Sequence, residues 1–390
     1  MAYFISKKTI YLILGLATAI SLLLKPSSDT TQSPQALFTP IKVGVQTLQH
    51  RVVLAPLTRY RSTQKEHVPI TPLMTTYYSQ RARHPGSLLV TEATFIAPHA
   101  GGYDHVPGIW SAPQIAAWKE ITDAVHAEGS FIFLQLWALG RTAKPAVLSE
   151  DGFEHVAPSP IAISDKYETP RALTVGEIQQ YVLDYAQAAR NAVHEAGFDG
   201  VEVHCANGYL PDQFLQDVSN TRTDAYGGSV QKRSKFALEV VDAVVKAVGA
   251  ERTGVRVSPW STFQSMRMAD PKPQFSYFAN KLLLAHPDLA YLHAIESEEP
   301  SAEESNDFLR DIWAPKPFVT AGNYMRETAI ERADASGDLV AFGRFYISNP
   351  DLVTRLENDV PLTPYNYSTF YTPETPEGYI DYPFYDARST

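Results

Sequence analysis

Eight short apolar runs recur along the chain, at residues 51–56, 87–94, 130–137, 200–205, 254–259, 289–295, 317–322 and 339–344. Most are near-continuous aliphatic or β-branched stretches, the pattern of strands covered on both faces in a parallel sheet. Each is followed by enough chain for a helix. Two of the intervening stretches carry apolar residues at helical spacing. One is 175–196, through Ile178, Val182, Ala186, Ala189, Val193 and Ala196, with Gly197 as its C-cap; the other is 236–248, through Leu238, Val241, Val244 and Val245. This alternation predicts an α/β fold, a (β/α)8 TIM barrel. A doubly wound open sheet is the competing architecture, but no G-x-G-x-x-G and no P-loop follows any of the runs. The long gap at 138–174, holding the Pro-rich APSPIAI, predicts an excursion after strand three that caps the barrel's top face.

Charge narrows the partners. The formal net charge is −10 over 390 residues, which argues against nucleic acid as the main partner of the body. The single cysteine, Cys205, excludes a disulfide framework and any Cys-based zinc or iron–sulfur centre, and no metal is expected. Between Lys8 and Lys25 lie sixteen uncharged residues, Thr9 to Leu24, followed by a tether-like PSSDTTQSPQA. A membrane anchor through a transmembrane helix, a cleaved signal and an extension without targeting role are the three readings of that run. The expectation taken from it is a membrane-associated protein whose catalytic body faces the cytoplasm. Residues 1–36 are read as this segment and its linker, and 37–390 as one barrel domain.

In a barrel, chemistry sits where the strands end. The first run ends at Pro56-Leu57-Thr58, the third contains Gln135 and Trp137, and the fourth leads into HCANGYL with His204, Asn207 and Tyr209. A lone histidine at a strand end is more often structural. Arg256, inside the apolar GVRVSP, is harder to dismiss, because a buried guanidinium is costly unless an anion or strong acceptor meets it. Gly322 and Asn323 follow the seventh run, Gly343 and Arg344 the eighth, where barrels commonly cradle a phosphate. Two arginines, paired glycines and no metal-ligand cluster point to a phosphate-bearing organic cofactor.

HCANGYLPDQFLQDVSNTRTDAYGGSVQKRSKF, with APLTRYRS, LQLWALGR, GVRVSPW, AGNY, FGRFYISNPDL and STFYTPETPEGYIDYPFY in the same order, resembles the old yellow enzyme family, and a fungal member in particular. The resemblance spans about 37–385 and implies FMN on a TIM barrel, with NADPH or NADH as electron donor. Carried over by position, it places Pro56, Thr58, Gln135 and Arg256 about the flavin ring. Gly322, Asn323, Gly343 and Arg344 then take the phosphate, and Phe370 and Tyr371 close over the cofactor. It implies that His204 and Asn207 hold the carbonyl oxygen of a small-molecule enone or enal, that Tyr209 gives the proton, and that Trp137, Tyr103 and Phe263 line the substrate pocket. For Trp137 and Phe263 plain core packing is the competing assignment.

The activity so implied is reduction of an activated C=C bond, in specialised metabolism. A redox-neutral isomerase of an unsaturated aldehyde and a flavin-binding protein without turnover are the alternatives. A phenylalanine in place of the proton donor is associated with the isomerase, and this chain has Tyr209. The short acidic segment after strand six, HAIESEEPSAEESNDF, departs from the family pattern where the loop is expected to border the pocket. Cys205 is read as a packed thiol, since nothing near it in sequence lowers its pKa.

Overall fold

The computed structural model describes residues 35–299, 301 and 303–385. All eight expected strands form: β1 (Val52–Leu54), β2 (Leu88–Val90), β3 (Phe131–Trp137), β4 (Gly200–Cys205), β5 (Thr253–Val257), β6 (Tyr291–Ile295), β7 (Phe318–Ala321) and β8 (Leu339–Phe342). They pair in parallel in the order β2-β1-β8-β7-β6-β5-β4-β3, and β3 pairs back to β2 to close the barrel. The doubly wound alternative, which leaves two free edges, is thereby ruled out.

Helices follow the strands in turn: α1 (Leu73–Ala82), α2 (Ala112–Ala127), α3 (Val175–Arg190), α4 (Val230–Val248), α5 (Lys272–Ala285), α6 (Asp307–Trp313), α7 (Arg326–Ser336) and α8 (Leu352–Glu357). A reciprocal cap starts α3. Thr174 Oγ1 accepts from the Glu177 amide at 3.3 Å, and Glu177 Oε2 accepts from the Thr174 amide at 2.7 Å. The apolar stripe expected to run to Ala196 does so, but its last turn, Asn191–Glu195, is a π-helix, and Gly197 ends it at φ +79°. Helix α4 begins six residues before the expected 236, because Ser229 caps it by accepting from the Lys232 amide.

Three apolar cores result. One lies between the strands and the helix ring, and a small one gathers Ala93, Phe95, Val106, Trp137, Leu139, Ala143 and Leu148. The third fills the lower barrel interior, where Val53, Leu88, Val90, Phe133, Tyr291 and Leu339 meet Val43 and Leu48. Those last two belong to a hairpin, Ile41–Val43 paired with Gln46–Leu48, which carries no long apolar run and which the sequence did not announce. The excursion after β3 is present, with a helix at Pro145–Glu150 and a two-residue parallel pair, Val156–Ala157 with Arg171–Ala172.

The expected membrane association requires correction. Among the described residues no helix is long and apolar enough to cross a membrane. Residues 9–24, on which the transmembrane helix and the membrane-attached, cytoplasm-facing placement were expected, lie outside the described residues. The sequence offers a physical reason in length: any helix of sixteen residues, at ~1.5 Å each, would reach about 24 Å, short of the ~30 Å hydrocarbon core.

The barrel interior depends on a size match. Gly254 pairs with Tyr291 across β5 and β6, and a Cβ at Gly254 would overlap the buried Tyr291 ring. Gly254→Ala is therefore expected to cost about 1–3 kcal/mol through overpacking. Urea unfolding should show a lower midpoint at unchanged slope.

Candidate active site

The upper ends of the strands open into a cleft of about 1140 Å³. Of the residues singled out from the sequence, it is lined by Pro56, Thr58, Tyr103, Gln135, Trp137, His204, Asn207, Tyr209, Arg256, Phe263 and Tyr371. The capping excursion supplies much of the opposite wall, including Lys144, Ile163, Tyr167 and Glu168. Gly322, Asn323, Gly343 and Arg344 are not in this lining. They form a separate group at the ends of β7 and β8, where Arg344 Nη2 donates to Asn323 Oδ1 at 3.0 Å. The two groups meet through Leu57, which lines the cleft and faces the Cα of Gly343. Phe370 is buried beneath the Arg59 guanidinium, while Tyr371 stands half-exposed in the wall.

The HCANGYL turn builds one wall. Asn207 and Gly208 both have positive φ, +59° and +75°. Asn tolerates that region and Gly is at home in it. A Cβ at Gly208 would also come within 2.7 Å of Met266 Cγ. The reversal brings Tyr209 back beside the strand-end residues. Its ring meets Trp137 edge-on at 4.8 Å and His204 at 5.0 Å. Asp212 accepts from the Gly208 amide at 2.8 Å and so fixes the turn from below.

Electrostatics assign the protonation states. Burial, followed by the neighbouring Arg256 charge, holds His204 well below the usual histidine range, so its ring is neutral with one N–H to give. Burial and the phenols of Tyr103 and Tyr60 hold Tyr209 well above the ordinary tyrosine range, so it keeps its proton. Cys205 is fully buried with its thiol pushed up, in keeping with a packed, unreactive side chain.

Residues that fit a cofactor are marked by unmet polar atoms. Among the described residues Arg256 Nε, His204 Nδ1 and Trp137 Nε1 are buried with no partner. Among the same residues no carboxylate lies within ion-pair distance of Arg256, which is 7% exposed and lines the cleft. An unpaired, buried guanidinium suits the electron-rich edge of a ring that takes up negative charge. The residues present therefore fit a flavin.

Sequence reasoning missed two functional-site residues, Glu202 and His293. Gln135 Nε2 donates to Glu202 Oε1 at 2.7 Å, and His293 Nδ1 donates to Glu202 Oε2 at 2.8 Å. Both are fully buried. A carboxylate inside the apolar GVEVHC was the available signal. The acidic segment after β6, by contrast, contributes nothing to the cleft lining among the described residues. Two of its carboxylates are engaged elsewhere, Glu296 by Arg310 and Thr320, Glu304 by Arg267 and Ser297.

Asp212 gives the site a pH dependence. Burial raises it from 3.8 to about 7, so the folded state holds a proton that the unfolded chain releases near pH 4. Its contribution to stability is full below the unfolded value and is lost as pH rises through about 7. Thermal midpoints should fall between pH 5.5 and 8, and Asp212→Asn should flatten that fall.

The NADH:flavin oxidoreductase / NADH oxidase family model matches residues 36–363. Chanoclavine-I aldehyde reductase fgaOx3 of Penicillium roqueforti is 54% identical over 359 residues, covering 89% of this chain and 96% of that protein. A protein of Epichloe festucae var. lolii named probable inactive reductase easA is 49% identical, covering 90% and 96%. The crystal structure of Old Yellow Enzyme from Pichia sp. superposes with a TM-score of 0.85 at 41% identity, covering 90% of this chain and 94% of that one. A morphinone reductase variant in complex with tetrahydroNAD gives 0.83 at 42%, covering 90% and 98%. With its closed barrel, its cleft and these matches together, the chain belongs to the NADH:flavin oxidoreductase / NADH oxidase family, as a member of the old yellow enzyme kind.

Proposed function

We propose that this protein reduces the activated C=C bond of an α,β-unsaturated carbonyl compound, with FMN as cofactor and NADPH or NADH as donor. The observation that carries this reading is the meeting of a neutral His204, Asn207 and a protonated Tyr209 on one wall of a cleft floored by an unpaired Arg256. FMN, when bound, supplies the hydride that adds to the β-carbon of the alkene.

The chain's own residues do the rest. His204 and Asn207 give two hydrogen bonds to the carbonyl oxygen, drawing electron density from the β-carbon. These bonds strengthen as negative charge gathers on that oxygen, and losing one such donor costs on the order of 3–4 kcal/mol. Tyr209 passes its phenolic proton to the α-carbon, so hydride and proton together saturate the bond. Such general-acid assistance is worth roughly 10²–10⁴-fold. Pro56, Thr58 and Gln135 would hold the ring edge and Arg256 its electron-rich end. Gly322, Asn323, Gly343 and Arg344 would hold the phosphate, with Tyr371 and the buried Phe370 at the closing side. Trp137, Tyr103 and Phe263 would shape the pocket for a small organic substrate.

Turnover without net reduction is the reading that a missing proton donor would favour, and Tyr209 stands against it. A protein without turnover is the reading that the Epichloe relative, named a probable inactive reductase, would favour. The presence of His204, Asn207 and Tyr209 together argues for catalysis.

Purified protein is expected to be yellow. Tyr209→Phe should leave bleaching of the flavin by nicotinamide within about threefold of wild type while slowing enone reduction ~10²–10⁴-fold. Stopped-flow measurement of the two half-reactions checks this, and equal slowing of both would remove Tyr209 from its role.

A further inference from the structure

The polar floor of the cleft rests on a buried carboxylate that faces no solvent. Strand register puts Gln135 beside Glu202, His204 beside Arg256, and Arg256 beside His293. Glu202 is 0% exposed and takes two hydrogen bonds, one from Gln135 and one from His293. A carboxylate only accepts, so each neighbour must turn a donor toward it. For Gln135 this fixes the amide: its NH₂ is held by Glu202, and its oxygen is the end left for the cleft. His293 is fixed as the tautomer protonated at Nδ1, and its Nε2 is buried without a partner.

We infer that Glu202 is a positioning residue for the flavin. It orients the Gln135 amide so that the oxygen accepts from the ring, and its charge partly offsets that of Arg256. The inference rests on the flavin reading above. In oxidised flavin the only ring N–H is at N3, so an amide oxygen held outward selects that edge. Glu202 is held ionised, at about 2, with the His293 ring and then the Arg256 charge opposing its burial. Its negative charge lies near the end of the site where reduction adds electrons, and it restrains how strongly Arg256 favours the reduced state. A buried carboxylate of this kind costs stability unless its partners hold it, which accounts for two donors and a nearby cation around one side chain.

The test uses full-length holoprotein. Glu202→Gln is expected to raise the two-electron midpoint potential by about 30 mV, a tenfold shift in preference toward reduced flavin. Glu202→Asp, which keeps the charge, should restore most of that shift. The variant should also bind oxidised FMN about tenfold more weakly, a loss of ~1.4 kcal/mol, within the range of a hydrogen bond to a charged group. In a Gln135→Leu background this loss of affinity should vanish, because the residue through which Glu202 acts is gone. An unmoved potential overturns the electrostatic role, and additive affinity losses overturn the orienting role. Should Glu202→Gln fail to fold, N3-methyl FMN supplies a second measurement. Wild type should bind it at least tenfold more weakly than FMN, and Gln135→Leu should lose most of that discrimination; equal binding by wild type overturns the orientation. Wild-type protein that takes up no FMN would overturn the flavin reading itself, and this inference with it.

Discussion

Parallel register across β3, β4, β5 and β6 is the constraint on which the site depends. It sets Gln135 beside Glu202, and Arg256 between His204 and His293, before any ligand arrives. Because every barrel strand points the same way, the register is fixed by closure and not by a turn. A one-residue slip of β4 would send Glu202 and His204 to the helix side and bring Val201 and Val203 inward, exchanging polar groups for apolar ones in both layers. The lower interior, packed by Phe133, Tyr291 and Leu339, penalises such a slip, so apolar packing below holds the polar arrangement above.

Within that frame each charge has a distinct environment. Arg256 keeps an unpaired face toward the cleft, Glu202 is saturated by two donors, and His204 is kept neutral by burial and by Arg256. The neutral imidazole matters chemically. A charged ring would add a second buried cation beside Arg256, which burial and repulsion both oppose. A neutral donor strengthens its bond chiefly as charge develops.

How much of this was legible in the sequence follows from what kind of force builds each part. The eight strands are buried on both faces, so they write themselves as apolar runs. The hairpin at 41–48 is not legible, because only Val43 and Leu48 of it are buried and turn geometry does the rest. The run at 87–94 breaks at Thr91 and Glu92. There the Thr91 hydroxyl takes the Gln135 amide and Glu92 the Arg59 amide, contacts between distant segments that no local pattern carries. His204, Asn207, Tyr209 and Arg256 stood out as polar residues at strand ends. Glu202 and His293 lie one layer deeper, where they read as isolated oddities in apolar strands until register joins them.

The motif after β1 shows how the site and the chain end are coupled. In APLTRYRS, Thr58 faces the cleft, whereas Arg59 and Arg61 turn into the protein. Arg59 donates to the carbonyls of Phe370 and Gly378 at 3.1 and 2.8 Å. Arg61 donates to those of Thr369, Phe370, Thr375 and Glu377 at 3.0–3.2 Å. These acceptors are backbone atoms of an irregular segment with few ladder bonds of its own, so the two guanidinium groups do for it what a sheet does for a strand. Carbonyl dipoles solvate the cations without neutralising them, and the stacked rings of Tyr77 and Tyr379 add further attraction. Tyr371, one residue beyond Phe370, is thereby placed in the cleft wall. The same strand end thus sets Thr58 in the cleft lining directly and Tyr371 through the segment that Arg59 and Arg61 hold, which ties both wall residues to the register of β1.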